Sequence, residues 1–143
     1  MEDMIGYLEG HSKKQKEERV HKSLLNQIIE NPYLIGITSS IRPYREVELL
    51  ENNSIIGHGD LVIIDSFNEL YLVEGKVIRS CTKSLGKIKN ELNGQLEKDF
   101  NFFKGNFGLS GTRIGVYRRK GGKIRHYTIS KPIEDFFNTG INV

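Results

Sequence analysis

Apolar residues recur three or four positions apart in two stretches of the chain, which is the spacing of one face of an α-helix. The first stretch covers residues 14–30, and its apolar face consists of Val20, Leu24, Leu25, Ile28 and Ile29. Pro32 ends this helix, because proline disfavours helical geometry at the residue before it. The second stretch covers residues 84–103, and its apolar face consists of Leu85, Ile88, Leu92, Leu96, Phe100 and Phe103. Each stretch predicts a helix with one buried face.

Apolar runs that alternate or are rich in β-branched residues predict the strands. They cover residues 45–50, 60–65, 69–77, 113–119 and 123–129, and residues 33–40 are predicted to be extended. The turn at 66–68 is short enough to join its two neighbouring strands into an antiparallel hairpin. A short last helix is predicted from Pro132, because proline is tolerated at the first helical position. The order α-β-β-β-α-β-β-α predicts an α/β fold, with helices packed on a mixed β-sheet.

Length and composition predict one domain. The chain has 143 residues, 37% of them hydrophobic and 27% charged, which is typical of a single globular domain. We predict one domain over residues 1–143, with a core at about 15–130 and a loosely held leader at 1–13. Cys81 is the single cysteine, which excludes an intramolecular disulfide. Because the sequence has neither an apolar run of roughly 18 residues nor a secretory signal, we expect a cytoplasmic protein without membrane association.

Positive charge is concentrated in residues 111–131. This segment holds seven basic residues and no acidic one, whereas the net charge of the whole chain is +3. Tyr117 and Tyr127 are interleaved with the basic residues. Arginine and lysine contact backbone phosphates without reading bases, so the segment predicts salt-dependent binding of nucleic acid. The residues predicted to bind are Arg113, Arg118, Arg119, Lys120, Lys123 and Arg125.

Charged residues interrupt two of the apolar strands. Glu74 and Lys76 are two positions apart, so their side chains point to the same side of the sheet. Asp60 begins the preceding predicted strand, and a hairpin brings its carboxylate beside that of Glu74. Two adjacent carboxylates suit Mg²⁺ (or Mn²⁺), which prefers oxygen ligands and can polarise a phosphoryl group. Lys76 would orient or deprotonate the attacking water, or stabilise charge on phosphorus. The three residues predict phosphodiester hydrolysis.

These residues resemble the motif of the PD-(D/E)XK nuclease superfamily, which includes many restriction enzymes and the archaeal Holliday-junction resolvases. Gly59 and Asp60 match the first half of the motif, with glycine in place of proline, and residues 74–76 (Glu-Gly-Lys) match the second half. The α-β-β-β-α-β order also fits, so the resemblance covers roughly residues 15–120. It implies a restriction-endonuclease-like mixed sheet, to which a C-terminal hairpin strand and a short helix are added.

The same resemblance implies an acidic metal ligand on the first helix and a polar residue on the second. Glu17 lies on the inward face of the first helix and is the candidate ligand, although an acid near a helix start is also favoured by the helix dipole alone. Gln95 matches the second position as a candidate catalytic residue, and a solvated polar residue is the alternative. The other candidates for the additional ligand are Glu18, Glu46 and Glu48.

The sequence therefore predicts a Mg²⁺-dependent endonuclease that acts on double-stranded or branched DNA. No sequence-reading module is recognisable, which favours structure-selective cleavage of the junction-resolvase type, and such an enzyme is expected to act as a homodimer. One alternative is a catalytically inactive nucleic-acid-binding domain of the same fold. Another is a protein-interaction domain, in which Glu74 and Lys76 form exposed ion pairs and the carboxylates of Asp60 and Glu74 do not converge.

Overall fold

The computed structural model describes residues 1–12, 19–80 and 82–129 of the chain. The helices are α1 (Glu2–His11), α2 (Arg19–Glu30) and α3 (Leu85–Phe107), and a 3₁₀ turn covers Pro32–Ile35. The strands are β1 (Ile41–Glu51), β2 (Ser54–Asp65), β3 (Leu70–Ile78), β4 (Thr112–Arg119) and β5 (Arg125–Ile129). None of these described helices combines the length and the hydrophobicity that a membrane crossing requires. The predicted helix from Pro132, and the first residues of the helix predicted at 14–30, lie outside the described residues.

The five strands form one mixed sheet in the order β1-β2-β3-β4-β5. Neighbouring strands are antiparallel except β3 and β4, which are parallel. A parallel pair needs a long crossover connection, and α3 supplies it by crossing one face of the sheet. The predicted α/β fold is confirmed, with its mixed sheet, its α-β-β-β-α-β order from α2 to β4, and the additional hairpin strand β5.

Successive residues of the central strands pack against helices on opposite faces of the sheet. On one face, Leu72 of β3 belongs to a core that includes Met4 of α1 and Phe103 of α3. On the other face, Val73 packs in a core with Leu25 of α2. Each such fully buried side chain contributes about 1.5–3 kcal/mol. The sheet is therefore the middle of three layers, with α1 and α3 on one side and α2 on the other.

The segment predicted as a loosely held leader forms a packed helix instead, so that prediction was wrong. Met4 and Leu8 lie one turn apart on α1, and both are 0% exposed. Gly6 and Gly10 interrupt the apolar pattern and weaken the intrinsic helix propensity of the segment. Packing of the apolar face onto the sheet supplies the stability that local propensity lacks.

The extended structure predicted at residues 33–40 was also wrong. The chain makes the 3₁₀ turn there, and Gly36 follows it with a left-handed φ of +86°. Proline at the start of the turn fixes a helical φ, and glycine accepts the positive φ that ends it. Ile35 and Ile37 are buried, so the apolar residues of this segment fill the core from a turn and an irregular segment.

β1 and β2 extend beyond the strands predicted at 45–50 and 60–65, because a tight turn joins them into a long hairpin. Asn52 and Asn53 have φ of +53° and +67°, and a two-residue type I′ turn requires positive φ at both central residues. Asparagine tolerates this conformation better than most residues. β2 consequently begins at Ser54. Asp60 was predicted to begin the strand, but it lies inside it.

Gly115 in β4 leaves room for the ring of Tyr127 in β5. A Cβ on Gly115 would lie 2.4 Å from Cζ of Tyr127, whose hydroxyl hydrogen-bonds Oδ1 of Asn93 at 2.7 Å. We expect Gly115→Ala to lower the free energy of unfolding by about 1–3 kcal/mol in denaturant titration, because the ring must move. Gly94→Ala in α3 is the control, since open space surrounds Gly94 and alanine should stabilise the helix by up to about 1 kcal/mol. Equal stability of the two variants would contradict this expectation.

Candidate active site

The β2–β3 ladder ends next to Asp60, and side chains continue the contact beyond it. Backbone pairing between the two strands stops at Leu61 and Val73. The N–H of Asp60 donates to Oε2 of Glu74 at 3.1 Å, and the N–H of Gly75 donates to Oδ2 of Asp60 at 2.9 Å. The two carboxyl groups therefore lie beside each other where the strands separate.

Asp99 of α3 is a third acid at this point, and it was not among the residues predicted from the sequence. Its side chain hydrogen-bonds that of Glu74, and the two residues are 2% and 3% exposed. A Cβ on Gly59 would lie 3.4 Å from Oδ1 of Asp99, so the glycine before Asp60 lets the helix carboxyl approach β2. A signal was available, because Asp99 comes three residues after Leu96 on the apolar face of the predicted helix, where an acid is costly to bury.

Burial and mutual repulsion oppose the ionisation of these acids. Burial is the largest cause that raises the pKa of Glu74, and the hydrogen bond with Asp99 and the charge of Asp60 raise it further. Burial likewise raises the pKa of Asp99, to about 7, and the charge of Asp60 raises it as well. Hydrogen bonds from Glu74 and Gln95 lower this pKa and so partly offset the effect of burial. Glu74 and Asp99 therefore share at least one proton at neutral pH unless a cation compensates their charge.

Lys76 contacts α3, as Glu74 does, but at a different residue. Its Nζ forms an ion pair with Oε1 of Glu91, and Nζ of Lys83 lies 3.1 Å from the same oxygen. Hydrogen bonds from Lys76 and then Lys83 lower the pKa of Glu91 to about 2. Asp60, Glu74 and Asp99 define the acid cluster. The amine predicted to act beside Asp60 and Glu74 is thus held by a carboxylate outside this cluster.

Gln95 lies on α3 one turn before Asp99. Its Nε2 donates to the carbonyl oxygen of His58 in β2 at 3.1 Å, and its side chain also hydrogen-bonds Asp99. Gln95 therefore connects the helix to the strand that carries Asp60, and it lies at the edge of the acid cluster.

The candidates for an additional acidic ligand differ in position. Glu17 and Glu18 lie outside the described residues. Oε1 of Glu48 is 3.3 Å from Nδ1 of His11, so this carboxylate is directed to α1. Glu46 lies in β1 with a left-handed φ of +45°, which is uncommon for a residue other than glycine.

The predicted nucleic-acid-binding residues divide into a packed group and an exposed group. The guanidinium of Arg113 lies 4.3 Å from the ring centroid of Phe100 in α3. Nη1 of Arg118 is 3.4 Å from Oε1 of Gln27 in α2. Both arginines are half-buried and lie on different faces of the sheet. The exposed group consists of Arg119, Lys120, Lys123 and Arg125 in the β4–β5 hairpin.

The donor atoms at the acid cluster suit a hard divalent cation. Asp60, Glu74 and Asp99 provide carboxylate oxygens, which Mg²⁺ and Mn²⁺ prefer. Oδ1 of Asp99 is buried and has no hydrogen-bond partner within the described part of the chain. Across residues 1–12, 19–80 and 82–129, no group of three or more His, Cys, Asp or Glu side chains is already positioned to hold a metal ion. The carboxyls contact backbone amides and one another instead, so the fit lies in their chemistry and proximity.

Comparisons with known proteins found similarity among solved structures. No protein-family model and no curated protein matches the chain. The crystal structure of a repair endonuclease from Pyrococcus abyssi is similar with a TM-score of 0.47 and 19% identity, covering 73% of this chain and 39% of that protein. The structure of EndoMS in complex with double-stranded DNA is similar with a TM-score of 0.42 and 17% identity, covering 75% of this chain and 37% of that one. The chain spans less than half the length of either protein.

Proposed function

We propose that this chain is a metal-dependent nuclease that hydrolyses phosphodiester bonds in DNA. The observation that supports this function is the convergence of three carboxyl groups, from Asp60, Glu74 and Asp99, where β2 and β3 separate. Burying acids is costly unless their charge is compensated. A divalent cation compensates such charge and is itself the usual cofactor of phosphodiester hydrolysis.

The three carboxyls are the residues that would hold Mg²⁺ or Mn²⁺. When bound, the metal supplies the charge that polarises a phosphodiester and activates water. Backbone N–H groups orient the carboxylates of Asp60 and Glu74 through hydrogen bonds of 2.9 and 3.1 Å. Gln95 orients Asp99 from one turn earlier on α3. These hydrogen bonds keep the acids close together, and binding of the cation would redirect their oxygens towards it.

Lys76 is proposed to act through its positive charge. Its ammonium is paired with Glu91, which holds the positive charge in a defined position on the α3 side of β3. Of the roles predicted for Lys76, stabilisation of the negative charge that develops on the phosphate is therefore the one we propose. Glu91 acts on this residue as a positioning partner.

DNA is the proposed polymer because the exposed cations suit its backbone. The β4–β5 hairpin presents Arg119, Lys120, Lys123 and Arg125 to solvent. Such side chains contact phosphates independently of sequence, which favours recognition of DNA structure, including branched DNA. A homodimer with two acid clusters would suit a junction with two strands to cut.

The test is cleavage of a labelled DNA panel that contains linear, nicked, single-stranded and four-way-junction substrates. We expect cleavage with Mg²⁺ or Mn²⁺ and none with EDTA, because the acids need a cation to ionise together. Structure selectivity is expected to appear as faster cutting of the junction than of the linear duplex. The rival function, a catalytically inactive DNA-binding domain, requires equal retention of the DNA with and without Mg²⁺ and no cleavage of any substrate.

A further inference from the structure

A polar groove lies on the α2 side of the sheet, away from the acid cluster. It is a cavity of about 430 Å³ between α2, the segment after it and the β4–β5 hairpin. Its polar side chains are Gln27, Asn31, Arg118 and Lys123, and Leu34 and Ile124 are the apolar ones. These residues define the α2 groove. Among the described residues, its lining contains two cationic side chains and no acid, so it suits an anion.

Arg118 has hydrogen-bonding capacity left over in this groove. The side chain is half-buried, and its contact with Oε1 of Gln27 is long at 3.4 Å. Its Nε is buried and has no hydrogen-bond partner in the part of the chain that the structure describes. A buried N–H without a partner costs free energy, and a guanidinium matches the oxygens of a phosphate with two parallel hydrogen bonds. An anionic oxygen in the groove would pair with the guanidinium of Arg118, which lines it.

The position of Arg118 relates the α2 groove to the acid cluster. Ile114 and Val116 pack in the α2-side core. Because side chains alternate along a strand, Arg118 points to the same face as these two residues. Arg118 is paired with Val77 in the parallel ladder, so it lies one strand away from the residue that follows Lys76. The groove and the proposed catalytic residues therefore lie on opposite faces of the sheet, and the β3 partner of Arg118 is one residue beyond Lys76 and three beyond Glu74.

We propose that the α2 groove binds a backbone phosphate of the nucleic acid, with Arg118 and Lys123 as the cations that contact it. This inference rests on the proposed function and specifies how the substrate is held. The polymer is favoured over a free phosphate ion because the same hairpin carries further exposed cations, Lys120 at its turn and Arg125 on the face opposite the groove, beside Tyr117. A strand that passes around the C-terminal ends of β3 and β4 would contact the groove on one face and approach the acid cluster past Lys76 on the other.

The test measures DNA affinity in EDTA, where cleavage cannot interfere. The affinity of the protein for a fluorescently labelled DNA duplex is measured between 50 and 200 mM salt, roughly the range over which phosphate contacts weaken strongly. We expect Arg118→Gln/Lys123→Gln to bind about 10-fold more weakly and to reduce the slope of log affinity against log salt by about one. Lys104→Gln is the matched control, because it also removes an exposed positive charge, from α3, and it should leave the slope unchanged.

Lys123→Gln alone keeps the test independent of folding, since Lys123 is exposed, and it is expected to give a smaller decrease in the same direction. An unchanged salt slope in both Lys123→Gln and the double variant would overturn the phosphate site. Inorganic phosphate that raises the Tm of wild type but not of the double variant, while DNA affinity is equal for the two, would overturn the nucleic-acid assignment in favour of a small-anion site. Absence of cleavage by the wild-type protein in Mg²⁺ would refute the proposed function. The binding results would still decide on the phosphate site, because they are obtained in EDTA.

Discussion

Asp60→Asn is expected to reduce the rate of DNA cleavage by roughly 10³-fold, because a metal ion supplies several kcal/mol of stabilisation and each 1.4 kcal/mol is about tenfold in rate. Asparagine has nearly the same shape and keeps a carbonyl oxygen that can accept from the N–H of Gly75. It removes the charge that a cation needs. The rate is measured under single-turnover conditions with saturating Mg²⁺, and DNA affinity is measured in parallel with Ca²⁺ or EDTA.

Two variants sharpen the interpretation of this result. Asp3→Asn makes the same chemical change at an exposed position on α1, and it should cleave like wild type. Lys76→Ala should also lose cleavage while keeping most binding, because a single ammonium paired with Glu91 is not a main phosphate anchor. Asp60→Asn that cleaves as fast as Asp3→Asn would end the catalytic proposal for this site.

The elements that were predicted correctly have patterns that local chemistry alone can explain. The periodic apolar face of α3 begins after Ser84, whose hydroxyl accepts from the N–H of Lys87 at 3.2 Å. The hairpin of β2 and β3 follows from two apolar runs with a short turn. α1 and the turn before β1 were missed because their stability comes from tertiary burial, as at Met4 and Ile35, and a short or mixed pattern does not reveal what a segment packs against.

The site shows the same division between local and tertiary information. The spacing of Asp60 and Glu74 on a hairpin predicted their proximity, because strand pairing is a short-range geometry. Asp99 was missed because its approach depends on how α3 crosses the sheet and on the space beside Gly59. The partner of Lys76 was unpredictable for the same reason, since Glu91 comes from that helix. A single acid on the apolar face of a helix is the pattern that would reveal such a residue elsewhere.

Metal-free protein is expected to lose stability as pH rises from about 4 to 8. Burial raises the pKa of Asp99 from 3.8 to about 7 in the folded state, and the pKa of Glu74 is raised as well. Between the unfolded and folded pKa values the folded state binds more protons, so raising the pH favours unfolding. Each pKa unit corresponds to about 1.4 kcal/mol, and because the acids share a proton we expect a total of about 2–4 kcal/mol. Urea titrations in EDTA at a series of pH values measure this slope.

Mg²⁺ should reverse this loss, because it replaces the proton that the acids share. At a concentration 100 times its Kd, a ligand that binds only the folded state stabilises it by about 2.7 kcal/mol, which corresponds to a rise in Tm of roughly 10 °C for a domain of this size. The rise should be large at pH 8 and small at pH 5, where protons compete with the metal. It is measured by thermal unfolding without DNA, so it does not depend on catalysis.

Asp99→Asn tests whether the carboxyl found on α3 belongs to this metal site. The amide cannot ionise, so the variant should be more stable than wild type at pH 8 in EDTA, with a shallower dependence on pH, and should gain little from Mg²⁺. Glu97→Gln removes an exposed acid from the same helix and should keep the wild-type slope and the wild-type response to Mg²⁺. An equal Mg²⁺-induced rise in wild type and Asp99→Asn would exclude Asp99 as a ligand and leave a two-carboxylate site. If the rise were also unchanged in Asp60→Asn, the cation would bind elsewhere, and burial of the acids would need an explanation other than catalysis.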